Sequence, residues 1–259
     1  MSRDDDSEMV GKKIFFLYPN AIVHNRIISE LVQQEYEVYL TRDKDALRRV
    51  LKKYPDSIVF VDINEGMDEK QWEAWITAFM EAPDTKGVYI GIVTTNDDEQ
   101  IKHKYLKTIK VPCGYTVLKF ELDKAVAHIF DILQAVKAKG RRKYLRATME
   151  KNSNATINLP VMGTYVKGQI KDVSVVGVSC TLEDEPEIAK NTLIKDIQIK
   201  LQSSLLKVEG IVFGSRISGK EKEKVYVFLF TQRIDPEVRV KIRKYIQQFL
   251  QAKMEAELK

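Results

Sequence analysis

The chain has 259 residues, 44% hydrophobic and 31% charged, with a formal net charge of +5 at pH 7. That is enough for one large or two ordinary domains with real cores, and the composition fits a soluble globular protein. No apolar run approaches the roughly 18 residues of a membrane span, and the start MSRDDDSEMV is acidic where a secretory signal is basic and then apolar, so the expected location is the cytoplasm.

The first half alternates strand and helix. Strand-like runs occur at KIFFLY (13–18), YEVYL (36–40), SIVFVDI (57–63), GVYIGIVTT (87–95) and YTVLKF (115–120). Between them, Leu47, Val50, Leu51 and Tyr54 recur at helical spacing, as do Trp72, Trp75, Ile76 and Phe79. The tryptophans read as helix packing rather than a cofactor box. Five strands, each followed by a helix, predict a doubly wound α/β domain over residues 1–139. Its last helix is expected over 121–140, stopped by Gly140 and feeding directly into the second half of the chain.

The second half, 140–259, changes character. Period-two alternation in DIQIKLQ, LKVEGIV and KVYVFLF and β-rich TYVKGQIKDVSVVGVSCTL predict an antiparallel barrel or sandwich, with a hairpin break at GSRISGKEKE. The chain closes with a helix that has Asp235 as N-cap, Pro236 in the first turn and Val238, Ile242, Tyr245, Ile246, Phe249 and Leu250 on one stripe. GSRISGK (214–220) has the glycine and lysine spacing of a phosphate-binding loop. Glu221 stands where that loop needs Ser or Thr, and a strand comes next instead of a helix, so it reads as a chance match.

Charge divides at the same point. Residues 1–139 hold 20 Lys+Arg against 23 Asp+Glu, whereas 140–259 hold 22 against 14, a net of +8. The basic half opens with GRRKYLRAT, in which Arg142 and Arg146 form R-x-x-x-R and Arg141 precedes them. The spacing alone is weak, since Arg239 and Arg243 repeat it on the closing helix, where it reads as a solvated face. DVSVVG comes about 25 residues later, with Asp172, Ser174 and Gly177 at the end of one strand and the start of the next.

The two motifs in this order resemble the PilZ family of bacterial receptors for the second messenger cyclic di-GMP. The resemblance extends over about 140–250. It implies that Arg141, Arg142, Arg146, Asp172, Ser174 and Gly177 bind cyclic di-GMP, with the arginine segment folding over a barrel surface. Arg141 ahead of the pair implies two stacked ligand molecules per site. The chemistry is coherent on its own terms: guanidinium groups bind phosphate and guanine edges, a carboxylate accepts from guanine N–H groups, and a glycine permits a tight backbone path.

The first half resembles a response-regulator receiver domain. Asp62 ends the third strand where a phosphoacceptor stands, with Thr94 or Thr95 and Lys119 ending the fourth and fifth. The acidic pair that holds Mg²⁺ in receivers is replaced by Tyr18, Pro19 and Asn20, so Asp62 is expected to be vestigial and the domain a docking or dimerisation surface. Cys113 and Cys180 lack ligand spacing, and His24, His103 and His128 fall on separate helices, so no metal, disulfide or cofactor is expected. The leading expectation is a non-catalytic receptor acting on an unidentified protein effector, with a homodimer through the receiver-like half or the closing helix as a candidate assembly. Its alternatives are a regulator phosphorylated at Asp62 whose barrel binds no ligand, and a nucleic-acid binder using the basic half. The sparse aromatics around the arginine motif count against the last.

Overall fold

Strands β1 (Ile14–Leu17), β2 (Val38–Thr41), β3 (Ile58–Asp62), β4 (Tyr89–Thr94) and β5 (Tyr115–Val117) pair in parallel in the order β2-β1-β3-β4-β5. The structure is a computed structural model and describes residues 11–119, 121–150, 154–218 and 222–259. The acidic start and Phe120 lie outside the described residues. π-helical Val23–Ile27 runs into α1 (Ile28–Gln33), followed by α2 (Lys44–Leu51), α3 (Glu69–Glu81), α4 (Glu99–His103), which continues as π-helical Lys104–Ile109, and α5 (Leu122–Ala135). Short carboxylates start three of these helices. Asp43 accepts from the Asp45 and Ala46 N–H groups, Asp68 and Gln71 form a reciprocal capping box, and Asp98 accepts from Gln100 and Ile101.

Period-two alternation sends Phe15 and Leu17 to one face of the sheet and Ile14 and Phe16 to the other. The first face packs against α2 and α3 through Leu47, Val50, Trp72 and Ile76, and the second against α1 and α5 through Leu31, Ile129 and Leu133. Helices on both faces of a 2-1-3-4-5 sheet are the doubly wound arrangement expected from the sequence. Trp72 is fully buried, with Trp75 edge-on to it at 5.6 Å, as packing residues rather than a cofactor box.

The second half forms β6 (Ala147–Thr148), β7 (Thr156–Val161), β8 (Thr164–Ser174), β9 (Gly177–Leu182), β10 (Leu193–Leu201), β11 (Ser204–Ser218) and β12 (Glu223–Phe230), then α6 (Pro236–Leu258). Antiparallel pairing runs β8-β7-β10-β11-β12-β9, and β9 pairs back onto β8 to close a six-stranded barrel, with β6 added beside β8. Closure leaves no exposed sheet edge within the ring. Alternate residues such as Ile197, Ile199 and Leu201 point inward. The helix start is as expected: Asp235 accepts from the Glu237 N–H at 2.8 Å.

Compactness divides the chain into one unit of residues up to Lys143 together with Leu250–Lys259, and a second of Tyr144–Phe249. The last residues of α6 thus belong to the α/β unit. Met254 is buried in its core, the Gln251 side-chain amide bonds both the N–H and the C=O of Leu40 at 2.9 Å, and Tyr54 donates to Glu257. Leu40 lies on β2, an edge strand, so Gln251 satisfies backbone groups that no strand pairs.

Three expectations need correction. The last helix of the first half ends at Ala135, not at Gly140, because the chain turns at Lys137 (φ 50°) so that Lys139 can bridge Gly11 and Ala138 can accept from the Lys12 N–H at 2.8 Å. Strand-like pairing at residues 138–139 takes the place of five more helical residues. The GSRISGKEKE break starts later than predicted: β11 runs through Gly214 with a bulge between Val212 and Gly214, so the glycine serves the strand, not a phosphate loop. Gly219, Lys220 and Glu221 lie outside the described residues. Arg239 and Arg243 are half-buried on α6 rather than a fully solvated pair.

Met254→Ala is expected to destabilise the α/β unit by about 2–4 kcal/mol, while exposed Lys253→Ala changes it by less than about 0.5 kcal/mol. Urea unfolding followed by tryptophan emission checks this, since both tryptophans lie in that unit.

Candidate functional site

The eleven residues of β8 are shared among three partners. Thr164–Gln169 pair with β7, Gly168–Ser174 pair with β9, and Asp172 and Val173 pair with β6 on the side that β7 has left. The β8–β9 register shifts between Ile170 and Asp172, so the strand bulges at Lys171 just before Asp172. β6 is set opposite by its own ladder, Ala147 facing Val173 and Thr148 facing Asp172. Arg146, the residue immediately before β6, is thereby delivered to Asp172, with Nη1 3.6 Å from Oδ1. Two motifs more than 20 residues apart in sequence meet through this pairing.

Asp172 is held from behind. The buried Ser179 hydroxyl, opposite it on β9, donates to Oδ2, leaving Oδ1 toward Arg146. The arginine side chain is 47% exposed and the carboxylate 23%. An ion pair this open is worth about 0–1 kcal/mol and is readily exchanged for a better partner. Sequence reasoning did not find Ser179, because its role depends on the bulge-shifted register. No local signal in the sequence marks it.

Ser174 and Gly177 act differently from Asp172. Ser174 is 4% exposed, its hydroxyl donating to the Gly177 carbonyl at 3.3 Å and accepting from the Val176 N–H at 3.4 Å, so it secures the Val175–Val176 turn. Gly177 packs against β12: a Cβ there would lie 2.5 Å from the Phe228 carbonyl oxygen. The serine and glycine of the second motif hold the barrel closed behind Asp172. Arg141 and Arg142 are exposed, in irregular chain at the end of the first unit.

In the α/β unit, Asp62 is fully buried at the end of β3, accepting from the Asn20 N–H at 3.2 Å and the Asn64 N–H at 3.1 Å. Burial raises its pKa above the ordinary 3.8, and these two backbone bonds offset the rise only in part. The Asn64 side-chain oxygen accepts from the Thr94 hydroxyl and the Thr95 N–H, both at 2.7 Å, and Lys119 pairs with Asp97 at 2.9 Å. Cys113 and Cys180 are buried and free. Burial pushes the Cys113 thiol up to about 12 and raises Cys180 as well, with Asp172 adding to the latter. Among the described residues no cluster of three or more His, Cys, Asp or Glu could hold a metal, and no helix is long and apolar enough to cross a membrane.

Residues 140–248 match the family described as PilZ domain. That segment is a PilZ domain. Among solved structures, the chain is similar to the PilZ domain with c-di-GMP of YcgR from Escherichia coli, at 18% identity over 45% of this chain and 93% of that one, TM-score 0.35. It is also similar to the K. pneumonia MrkH–c-di-GMP complex, at 18% identity over 46% of this chain and 57% of that one, TM-score 0.39. The Bacillus subtilis inhibitor of motility MotI/DgrA matches at 13% identity over 42% and 50%, TM-score 0.36. The chain thus spans 57% and 50% of the length of the latter two. No curated protein matches the chain.

Two outcomes test this geometry. Gly177→Ala forces its Cβ onto the Phe228 carbonyl and is expected to destabilise the PilZ domain by about 1–3 kcal/mol in thermal unfolding followed by circular dichroism. In carboxyl NMR, Asp62 should titrate above the ordinary aspartate value of 3.8, and Asp97, which accepts from Lys119, below it. An Asp62 midpoint at or below that of Asp97 contradicts the buried arrangement.

Proposed function

We propose that the chain is a non-catalytic receptor for cyclic di-GMP, with Arg141, Arg142, Arg146 and Asp172 as the groups that meet the ligand. The observation that carries this is the Arg146–Asp172 pair, which joins the two motifs on an exposed strand end. A cyclic dinucleotide presents phosphates and guanine edges together. Arginine forks suit phosphate oxygens and the O6/N7 edge, and the Asp172 carboxylate suits guanine N–H donors. Without ligand, Arg146 and Asp172 occupy each other weakly, so both remain available at small cost. Ser174 and Gly177 contribute by fixing the turn behind Asp172, and Ser179 by orienting its carboxylate. An arginine preceding the R-x-x-x-R pair supports two stacked ligand molecules per site.

In this proposal residues 140–259 bind the messenger, and residues 1–139 act as a receiver-like module that docks a protein effector or a second copy. Ligand ordering of the arginine segment, the covalent link between the halves, changes what the chain presents to that partner, and the ligand must prefer the ordered state for this to work. Asp62 is vestigial: its carboxylate is buried and bonded to the Asn20 N–H, and Asn20 stands where a Mg²⁺-binding acid would be needed. The compact ligand surface around one ion pair favours a small anion over a nucleic-acid strand.

Calorimetric titration of cyclic di-GMP is expected to give a dissociation constant of about 1 μM or tighter, equivalent to about −8 kcal/mol. Arg142→Ala and Arg146→Ala should each abolish measurable binding, and a stoichiometry of two supports the stacked pair. Full affinity in either variant overturns the site assignment.

A further inference from the structure

Strand alternation in the barrel turns Ile194, Val212 and Phe228 inward, so their neighbours Leu193, Ile211 and Leu229 face out. The ladder sets these three directly opposite one another on β10, β11 and β12: Leu193 faces Ile211, and Ile211 faces Leu229. They are 48%, 39% and 41% exposed, and Phe213 at the β11 bulge adds a ring that is 56% exposed. Leu229 in turn lies opposite Gly177, which has no side chain, so the row stops there. Isolated apolar residues on a surface are ordinary, but residues that adjoin across three strands leave a continuous patch open to water.

The row leads into a cleft. Leu193 also lines a hollow of about 500 Å³, with Val161, Met162, Ile188 and Ile194 as its apolar walls. Glu187 and Asp196 border it, and each is cancelled by a lysine, Lys224 and Lys207 respectively. Lys195 borders it too and pairs with no acid among the described residues; nor do Lys200 and Arg216 on the same strands. Lys190 lies 5.5 Å from the Phe213 ring centre, a contact that orients a cation without neutralising it. Glu209, two residues before Ile211, is the acid left on this face, accepting from the Thr231 hydroxyl at 3.3 Å. An apolar patch with an adjoining cleft is thus framed by an excess of positive charge.

Charge and spacing define what fits. A second copy of the same face would bring like charges together, and half-exposed side chains level with lysines do not reach the depth of about 5–10 Å of an interfacial lipid contact. Neighbouring strands lie about 4.8 Å apart, close to the ~5.4 Å pitch of an α-helix. A helix laid across the strands therefore places one turn over each member of the row, whereas the same face of an extended segment repeats every ~6.7 Å and falls out of step.

We propose that the outer face of β10–β12 docks an acidic amphipathic helix of a partner protein. Successive turns of that helix cover Leu229, Ile211 and Leu193, the next apolar side chain enters the cleft, and its acids meet Lys195, Lys200 and Arg216. This surface is additional to the α/β module named above as a docking element and does not rest on cyclic di-GMP binding.

The probe is a fluorescein-labelled synthetic helix of about 18 residues, with a leucine stripe at helical spacing flanked by glutamates, measured by anisotropy against the full chain. A peptide of the same composition without the stripe is the control. Wild type is expected to bind the striped peptide at least about tenfold more tightly than the control. Ile211→Ser with Leu229→Ser and, separately, Lys195→Glu with Arg216→Glu should each weaken that binding at least about tenfold. Lys195 and Arg216 are exposed, so with an unchanged melting curve their double variant reads the face and not the fold. Equal affinity for the two peptides, undiminished binding by the charge variant, or no binding at about millimolar peptide overturns the proposal. So does binding to phosphatidylcholine–phosphatidylglycerol vesicles in place of the peptide, if the same substitutions abolish it, which assigns the face to a membrane. Self-association in sedimentation equilibrium that is lost in Ile211→Ser with Leu229→Ser overturns it in favour of a second copy.

Discussion

The geometry of the candidate site depends on how β8 divides its backbone hydrogen bonds. One strand cannot satisfy two full-length neighbours on the same side, so β7 takes its first half and β6 its last two paired residues. Buried backbone groups must find partners, and the two residues of β6 supply them. Arg146 reaches Asp172 because the next residue in the chain, Ala147, is committed to this ladder. The bulge before Asp172 sets the same carboxylate against Ser179 across β9. The site is a by-product of barrel closure, and its ion pair is too open to organise the strands around it.

The two consensus motifs therefore combine different kinds of residue. Arg146 and Asp172 carry exposed charge, and Arg141 and Arg142 extend it along irregular chain. Ser174 and Gly177 face the turn and β12, where a hydroxyl bond and the absence of a Cβ permit the close approach. A change at Gly177 would move Asp172 by displacing the turn behind it, whereas a change at Arg146 would remove its ion pair without moving the barrel.

The α/β unit shows a comparable economy. The end of β3 is tied by backbone bonds to Asp62 and by Asn64 to Thr94 and Thr95, so the ends of β3 and β4 are linked through Asn64. At the opposite extreme of the chain, α6 gives its last turns to this unit, with Met254 in its core and Gln251 satisfying the edge strand. A division of the sequence at 139/140 separates the two fold classes, yet the compact units divide after Lys143 and return Leu250–Lys259 to the first.

Local periodicity and short motifs were enough to specify the elements themselves. The strand-like run at 13–18, the apolar stripe of α3 and the Asp235–Pro236 helix start each depend on neighbours within a few residues, and all were legible in the sequence. So were the two motifs, because R-R-x-x-x-R and D-x-S-x-x-G are contiguous. Features that needed a partner distant in sequence were left to the tertiary fold. It ended α5 at Ala135 to let Lys139 meet Gly11, turned Ser174 inward, recruited Ser179, carried Gly214 through a strand as a bulge, and docked Met254 on the sheet. Propensity acts within a turn or two of chain, whereas register, closure and burial are set by which backbone groups remain unpaired once distant strands have met.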